Sequence, residues 1–288
     1  MTKCRDPLEE LNLAAGNDPP PNFRYIEETL KPRKPKHRKR NTHSRAGTLI
    51  VVTGMNNVRE CLASAHVKTH KVFARQGFDL NSIGRIPNSI KVEWLRESDP
   101  DFQELHQGIG CAVSPPHWGG LDTFLDGLLE QKKAPLLLIL DQVEDPNNLG
   151  QIIRTCEGAG VDAILHPHRR SVGLTNSAAQ TSQGAFAHLP MFAIGNLRQT
   201  LEDLKSKGFW TFACENQERS IPWHAADLKG PVAVVLGSEG RGIRDLVLKT
   251  CDTVISLPMA GHINSLNVSA TAAALLFEAV RQRQTPLP

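Results

Sequence analysis

The chain has 288 residues, of which 40% are hydrophobic and 22% are charged, and its formal net charge is +3. These proportions are typical of a soluble globular protein of one or two domains. No apolar run approaches the roughly 18–20 residues that span a bilayer, and the start lacks the apolar core of a secretory signal. We therefore expect a cytoplasmic protein that does not contact a membrane.

The first predicted segment is a disordered basic arm, residues 1–46. It holds 11 Lys and Arg against 6 Asp and Glu, a net charge of +5, which leaves about −2 for the rest of the chain. Within it, residues 31–45 contain eight Lys or Arg and no acid. This run could bind RNA through counterion release, or it could be a solvated tail that only aids solubility.

A small α/β domain is predicted for residues 47–113. The apolar strand in "GTLIVVTG" precedes a helix that carries Val58, Cys61 and Leu62 on one face. "HKVFARQG" and "IKVEWLRE" add two strand-like runs, and "FQELHQGIGCAV" closes the unit. Residues 114–134 combine the turn-rich "SPPHWGG" with the polar "EQKKAP" around a short helix, which indicates a linker.

From residue 135 to residue 288 the pattern changes to strands that alternate with helices. Six apolar strands are predicted, "LLLILD", "DAILHP", "LPMFAI", "FWTFAC", "VAVVLG" and "TVISLP". Five helices are predicted between and after them, within "NLGQIIRTCEGAG", "TNSAAQTSQGA", "NLRQTLEDLKSKG", "IRDLVLKTC" and "NVSATAAALLFEAVRQR". Nearly continuous apolar strands that alternate with helices indicate a parallel sheet covered by helices on both faces.

The six cysteines are scattered, and no two form a C-x-x-C pair. This usage is typical of free, mostly buried thiols in a reducing compartment. A catalytic cysteine is the less favoured alternative, since free cysteine is usually a core residue. No His, Cys and Asp residues have the spacing of a zinc site, so we expect no metal.

Glycines follow one of the predicted strands in "VVLGSEGRGI". Gly237, Gly240 and Gly242 at a strand exit would let the backbone approach a ligand closely. A plain turn explains the same pattern, and a dinucleotide-binding loop is a further alternative. The spacing is G-x-x-G-x-G, however, not G-x-G-x-x-G, and the Lys-Ser/Thr pair of a phosphate-binding P-loop is missing.

A second polar loop follows the last strand, in "ISLPMAGHINSLNVSA". Ser265, Leu266 and Asn267 open the final helix, and one Ser or Asn there would be an ordinary N-cap. The sequence Ser-Leu-Asn supplies more polar groups than a single N-cap needs. His262 lies in the same loop and is interpreted as structural, with a contact to substrate as the alternative.

The junction "DPNNLGQIIRTCEGAG" carries a third group of polar residues. Asn148, Gly150 and Arg154 lie where a strand gives way to a helix, the edge at which open α/β sheets bind ligands. Arg154 could be a surface residue of an amphipathic helix. Its apolar neighbours instead predict a position at the edge of buried surface.

These three stretches together resemble the three motifs of the SpoU/TrmH (SPOUT) family of RNA ribose 2′-O-methyltransferases, in order and spacing across roughly residues 135–285. The segment "RRSVGLTNSAAQTSQGAFAHLP" is similar to the middle of that family. The preceding unit, with "VTGMNNVRECL" and "HQGIGCAV", resembles the L30e-like RNA-binding domain of bacterial RlmB-type 23S rRNA guanosine methyltransferases.

The resemblance implies a SPOUT fold in which the C-terminal segment forms a deep trefoil knot. It implies that S-adenosylmethionine binds in the knotted loops, against Gly237, Leu257 and Leu266, and that two copies form a homodimer with a site at their interface. It also implies methylation of a ribose, with guanosine in 23S rRNA as the expected target. The catalytic residues it implies are Asn148, Arg154, Glu239, Ser265 and Asn267, all of which match the family's motifs.

The roles of these residues follow from the chemistry of methyl transfer. The residue matching Arg154 is the family's proposed base, but an arginine has an ordinary pKa of roughly 12.5–13.8 and should stay protonated. Arg154 could instead hold a phosphate or stabilise a developing alkoxide while a neighbour takes the proton. Glu239 is expected to pair with Arg154 or bind the ribose, Asn148 and Ser265 to contact the ribose, and Asn267 to fix the glycine-rich loop.

Three other functions remain as alternatives. The chain could methylate tRNA, it could be a non-catalytic RNA-binding or ribosome-assembly factor, or it could use a nicotinamide cofactor. The complete set of motif residues argues against the second, and the missing G-x-G-x-x-G argues against the third.

Overall fold

In the computed structural model, the described residues are 49–99, 101–131 and 134–284. The predicted arm lies outside these residues. The described chain forms two β-sheets and seven α-helices, and one apolar cluster extends from the first sheet into the second.

The first sheet has four strands in the order β1-β4-β2-β3. They are β1 (Ile50–Thr53), β2 (Thr69–Arg75), β3 (Lys91–Leu95) and β4 (Ile109–Val113). β2 and β3 pair in parallel, whereas β4 is antiparallel to both β1 and β2. Helix α1 (Met55–Ala63) buries Val58 and Cys61 against the core and packs Leu62 beside them, as its apolar pattern predicts.

The second sheet has seven parallel strands in the order β7-β6-β5-β10-β8-β11-β9. They are β5 (Leu136–Asp141), β6 (Ala163–Pro167), β7 (Met191–Ile194), β8 (Trp210–Cys214), β9 (Ile221–Pro222), β10 (Val232–Gly237) and β11 (Thr253–Ser256). The six predicted strands and the parallel pairing are confirmed. The exposed two-residue strand β9 was not predicted.

Helices cover both faces of this sheet, as predicted. They are α2 (Leu121–Gln131), α3 (Pro146–Gly158), α4 (Asn176–Thr181), α5 (Leu197–Ser206), α6 (Asp245–Thr250) and α7 (Val268–Arg283). In β5, Leu136, Leu138 and Leu140 face a cluster formed with α3, α4 and α7. Leu137 and Ile139 face the opposite cluster, formed with α2, α5 and α6. Helix α2, inside the predicted linker, thus packs on the second sheet.

The free edge of β1 is covered by side chains of α4. Asn176 Oδ1 accepts a hydrogen bond from the Val51 backbone N–H at 3.0 Å. Gln180 pairs with both backbone groups of Thr53, accepting from its N–H at 2.7 Å and donating to its carbonyl at 3.0 Å. Two amide side chains therefore take the place of a neighbouring strand and fasten the first sheet to the second.

The five cysteines among the described residues are free, and Cys61, Cys111 and Cys156 are buried, as predicted. Burial raises the pKa of Cys214 and of Cys251 to about 12, so both thiols stay neutral near pH 7. A nucleophilic cysteine needs the opposite shift. No helix in the described ranges is long and apolar enough to cross a membrane.

Candidate functional site

The start of α3 is built by the residues around Asn148. Asp145 is the N-cap, and its Oδ1 accepts from the Asn148 backbone N–H at 2.7 Å. A Cβ on Gly150 would lie 2.6 Å from the carbonyl oxygen of Ala178, so only glycine lets α3 approach α4 this closely. The glycine of this motif thus serves helix packing, while Asn148 is held at the carboxyl edge of the sheet.

The glycine-rich stretch after β10 folds into a tight turn. Ser238 and Gly242 exchange backbone hydrogen bonds of 3.2 and 3.0 Å. Gly240 and Gly242 have φ of 81° and 66°, the left-handed region that favours glycine. A Cβ on Gly237 would lie 2.2 Å from the Gly242 carbonyl carbon, so the two ends of the turn meet backbone against backbone.

Two carboxylates outside the three motifs fix this turn. Asp141, fully buried at the end of β5, accepts from Arg244 Nε at 2.9 Å and from the Arg244 backbone N–H at 3.0 Å. Arg244 Nη2 lies 2.7 Å from Asp141 Oδ1. Glu215 Oε2 accepts from the Ile243 backbone N–H at 2.9 Å. Sequence reasoning missed both carboxylates, although an acid closing the apolar run "LLLILD" should have suggested a buried partner.

The three motifs meet in one hydrogen-bonded triangle. Asn148 Nδ2 donates to Glu239 Oε1 at 2.6 Å, and Asn267 Nδ2 donates to the same oxygen at 2.8 Å. Asn267 Nδ2 also lies 3.1 Å from Asn148 Oδ1. The carboxylate can only accept, so it orients both amides with their N–H groups toward it. Residues up to 119 positions apart in the chain are therefore fixed against one another.

Asn267 has a second function as the N-cap of α7. Its Oδ1 accepts from the Ser269 backbone N–H at 2.8 Å. Ser269 Oγ in turn lies 2.7 Å from Gln151 Oε1 on α3. Asn267 is thus both the N-cap of α7 and a member of the triangle. Gln151 and Ser269 support its position, although the sequence did not indicate either residue.

Two cavities adjoin the triangle. The larger, the cleft, has a volume of about 680 Å³, and its walls include Gly237, Leu257, Ser265 and Leu266. The smaller, the side cavity, has a volume of about 240 Å³ and is lined by Gln142, Val143, Glu144, Asp145, Asn148, Ser238, Glu239, Arg241 and Val268. Glu239 lies between the two cavities and lines both.

Ser238 is polar and unsatisfied where the two cavities join. Its Oγ is buried and has no hydrogen-bond partner among the described residues. A buried hydroxyl without a partner is costly, so this atom is suited to bind a ligand in one of the two cavities.

Arg154 does not join the triangle in this chain. It is exposed on α3, and within the described ranges no hydrogen bond or ion pair involves it. Within the described chain, Glu239 does not pair with Arg154: its Oε1 accepts from the Asn148 and Asn267 amides instead. The expected position of Arg154 at the edge of buried surface is wrong, because α3 turns its apolar residues inward and leaves Arg154 on the outer side.

His262 is exposed in the loop before α7 and lines neither cavity. Among the described residues, none forms a hydrogen bond or an ion pair with its side chain.

Comparison with known proteins shows which family the chain resembles. Residues 135–277 match the model of the SpoU rRNA methylase family. A TrmH family tRNA/rRNA methyltransferase of Staphylococcus saprophyticus is 37% identical over 241 residues, which cover 81% of this chain and 96% of the relative. A protein of the same name from Staphylococcus epidermidis is 37% identical over 242 residues, with the same coverage.

Solved structures show the same fold. The SpoU methyltransferase AviRb from Streptomyces viridochromogenes superposes with a TM-score of 0.71 at 20% identity, covering 85% of this chain and 93% of that one. A TrmH family RNA methyltransferase from Porphyromonas gingivalis gives a TM-score of 0.66 at 25% identity, covering 81% of this chain and 90% of that one. With relatives this similar over nearly their whole length, the chain belongs to the SpoU/TrmH family of RNA methyltransferases.

Proposed function

We propose that this protein transfers the methyl group of S-adenosylmethionine to a ribose 2′-oxygen of RNA, with guanosine in 23S rRNA as the target. The observation that carries the proposal is the triangle of Asn148, Glu239 and Asn267, which joins three distant motifs where two cavities meet. One cavity would hold the methyl donor and the other the ribose. A site for two ligands fits a transfer reaction better than a single binding pocket does.

The cleft suits the cofactor. Its volume of about 680 Å³ is within the range of small-molecule sites. Leu257, Met259 and Leu266 supply apolar wall for an adenine, and the Ser238 hydroxyl is available for a polar contact. Gly237 keeps the wall free of a side chain where the turn closes. The presence of the cofactor in a related SpoU structure, AviRb in complex with AdoMet, supports the assignment.

The cofactor, when bound, supplies a methyl group activated by a sulfonium. In the transfer, the bond from the ribose oxygen to the methyl carbon forms, the carbon–sulfur bond breaks, and the hydroxyl proton passes to a base. Glu239 Oε1 already accepts from two amides, whereas no described residue donates to Oε2. We assign Glu239 Oε2 to accept the hydrogen bond of the 2′-hydroxyl and then its proton.

The amides of Asn148 and Asn267 would hold that carboxylate in place, so that the hydroxyl faces the methyl group in line. Ser265, exposed at the wall of the cleft, would hydrogen-bond the ribose where the side cavity meets the cleft. An arginine stays protonated near neutral pH, so Arg154 would stabilise negative charge on the reacting oxygen or on a phosphate and would not take the proton.

A second copy of the chain would bring Arg154 to the reacting oxygen. Arg154 is exposed on α3, and Phe277, on the neighbouring helix α7, is 51% exposed. We propose a homodimer in which these two helices meet their counterparts, so that each site uses the Arg154 of the other copy. Mixing Arg154→Ala and Glu239→Gln chains should then restore part of the activity, since one site in the mixed dimer has neither change.

Three further expectations belong to this proposal. The last loops of the chain would form the trefoil knot of the family, and the first sheet would be its L30e-like RNA-binding domain, with boundaries as predicted from the sequence. A cytoplasmic location follows for an enzyme acting on rRNA. The curated relatives are named for both tRNA and rRNA, so tRNA remains the second candidate substrate.

The test is methyl transfer from labelled S-adenosylmethionine to 23S rRNA and to bulk tRNA, with the product mapped by primer extension that stops at 2′-O-methyl groups. The proposal predicts one ribose methylation in 23S rRNA, lost in Arg154→Ala. Label on tRNA would overturn the assignment of the substrate and leave the assignment of the reaction in place. Cofactor binding without transfer to either RNA, or to ribosomal precursors, would favour the non-catalytic assembly factor. Stabilisation of the folded protein by NAD, and not by S-adenosylmethionine, would favour the nicotinamide enzyme.

A further inference from the structure

Three consecutive basic residues, His168, Arg169 and Arg170, follow β6 and are all exposed. We refer to these three residues as the basic tract. Within the described ranges, no hydrogen bond or ion pair involves any of their side chains. By contrast, Arg198 and Arg244 lie 3.1 and 2.7 Å from carboxylate oxygens. The basic tract therefore presents charge that the described protein does not neutralise.

The tract lies beside the side cavity. β6 pairs in parallel with β5, so the loops at their carboxyl ends are neighbours about 4.8 Å apart at the strands. The Val172 backbone N–H donates to the Val143 carbonyl oxygen at 2.9 Å, and Ser171 Oγ donates to it at 3.3 Å. Val143 lines the side cavity, so the residues directly after the tract are fastened to the cavity wall.

The backbone of both loops is held in an unfavourable conformation. Arg170 has φ of 56° and Gln142, in the β5 loop, has φ of 64°. A left-handed conformation costs a residue other than glycine about 1–2 kcal/mol. Such conformations persist where the surroundings impose them, and they concentrate at ligand-binding sites.

The charge of the side cavity explains why cations are needed there. Its wall includes the carboxylates of Glu144, Asp145 and Glu239, which would repel the phosphates of an RNA strand. Arg241 is exposed on the same wall and supplies a cation on the side cavity itself. A ribose can enter such a cavity only if the phosphates on either side of it find cations outside the wall.

We propose that the basic tract and Arg241 bind the phosphates that flank the target nucleotide, a role that rests on the proposed function. The guanidinium groups suit this task because they bind phosphate through two parallel N–H bonds. The tract sets the register of the strand, so that one ribose enters the side cavity, and it carries no base specificity.

The test compares two double variants with matched loss of charge. In Arg169→Ala/Arg170→Gly, the glycine accepts the left-handed φ, so the loop keeps its fold while both guanidinium groups are removed. The control is Lys229→Ala/Lys249→Ala. It removes two exposed lysines that precede β10 and β11, at the amino ends of the strands and thus at the opposite edge of the second sheet from the tract. Binding of a short fluorescein-labelled single-stranded RNA is measured by anisotropy, without cofactor, over a series of salt concentrations.

Each phosphate contact contributes about 0.7 to the magnitude of the slope of log K against log salt. The slope should therefore become shallower by about 1.4 in the tract variant and stay unchanged in the control. KM for RNA should rise, while kcat at saturating RNA and the Kd of the cofactor stay at the wild-type values. Adding Arg241→Ala to the tract variant should reduce the magnitude of the slope by about 0.7 more.

A wild-type slope in the tract variant would overturn the proposal. A change of oligomeric mass with an unchanged slope would overturn it too, and would assign the tract to contact with another copy. If the wild type binds RNA with the expected slopes but methylates none, the proposed function fails while phosphate binding by the tract stands. If the wild type binds no RNA, both fail.

Discussion

A methyl group added at Gly237 should disrupt the wall of the cleft. In Gly237→Ala, the new Cβ would lie 2.2 Å from the Gly242 carbonyl carbon and 2.5 Å from both the Gly242 oxygen and the Ile243 nitrogen. All three are backbone atoms and cannot rotate away, so the turn from Ser238 to Gly242 must open. Overpacking of this kind costs about 1–3 kcal/mol.

Most of that cost should appear as lost cofactor affinity, because the turn is part of the wall of the cleft. A loss of 1–3 kcal/mol corresponds to a Kd for S-adenosylmethionine about 5- to 150-fold higher, measured by isothermal titration calorimetry. The control is Gly261→Ala in the other loop, where an added Cβ meets no atom within 4 Å. A Gly237→Ala protein that is folded and binds the cofactor within about twofold of wild type would refute the reasoning.

Three further outcomes are expected. Arg244→Ala leaves the buried Asp141 carboxylate without its cation and should lower the free energy of unfolding by about 3 kcal/mol in urea, whereas a loss under about 0.5 kcal/mol would contradict the anchoring role. Hydrogen bonds from Arg281 hold the pKa of Glu278 at about 2, so its stabilisation is full above about pH 4.5 and is lost as the pH falls toward 2. Glu278→Gln should therefore flatten the fall of Tm in that window, and an unchanged acid limb would contradict it. Deleting residues 1–46 should lower the salt dependence of RNA binding and leave kcat at saturating RNA unchanged, and an equal salt slope would remove the arm from RNA binding.

Much of the second sheet could be predicted because its strands are buried on both faces. The runs 136–140 and 232–236 are apolar throughout, and that pattern is typical of central parallel strands. Strand β9 was missed since Ile221 and Pro222 are exposed and show no periodicity. The sequence pattern thus predicted the strands that are buried, because their own residues are apolar, and missed the exposed one.

The contacts that complete the site were much harder to predict. Asp141 and Arg244 are 103 residues apart, and only the order of the strands brings them together. The triangle required knowing that Glu239, and not Arg154, faces the two asparagines. Resemblance to a family indicated which residues matter, but their partners depend on how the loops fold over one another.

The role of Glu239 is the most direct test of the mechanism. In Glu239→Gln, the amide oxygen can still accept from Asn148 and Asn267, while an N–H₂ group replaces the oxygen assigned to the 2′-hydroxyl. The measurement is the single-turnover rate of methyl transfer to RNA at saturating cofactor and RNA. The account predicts a rate about 100- to 10,000-fold below wild type with cofactor Kd unchanged. A wild-type rate in Glu239→Gln would contradict it.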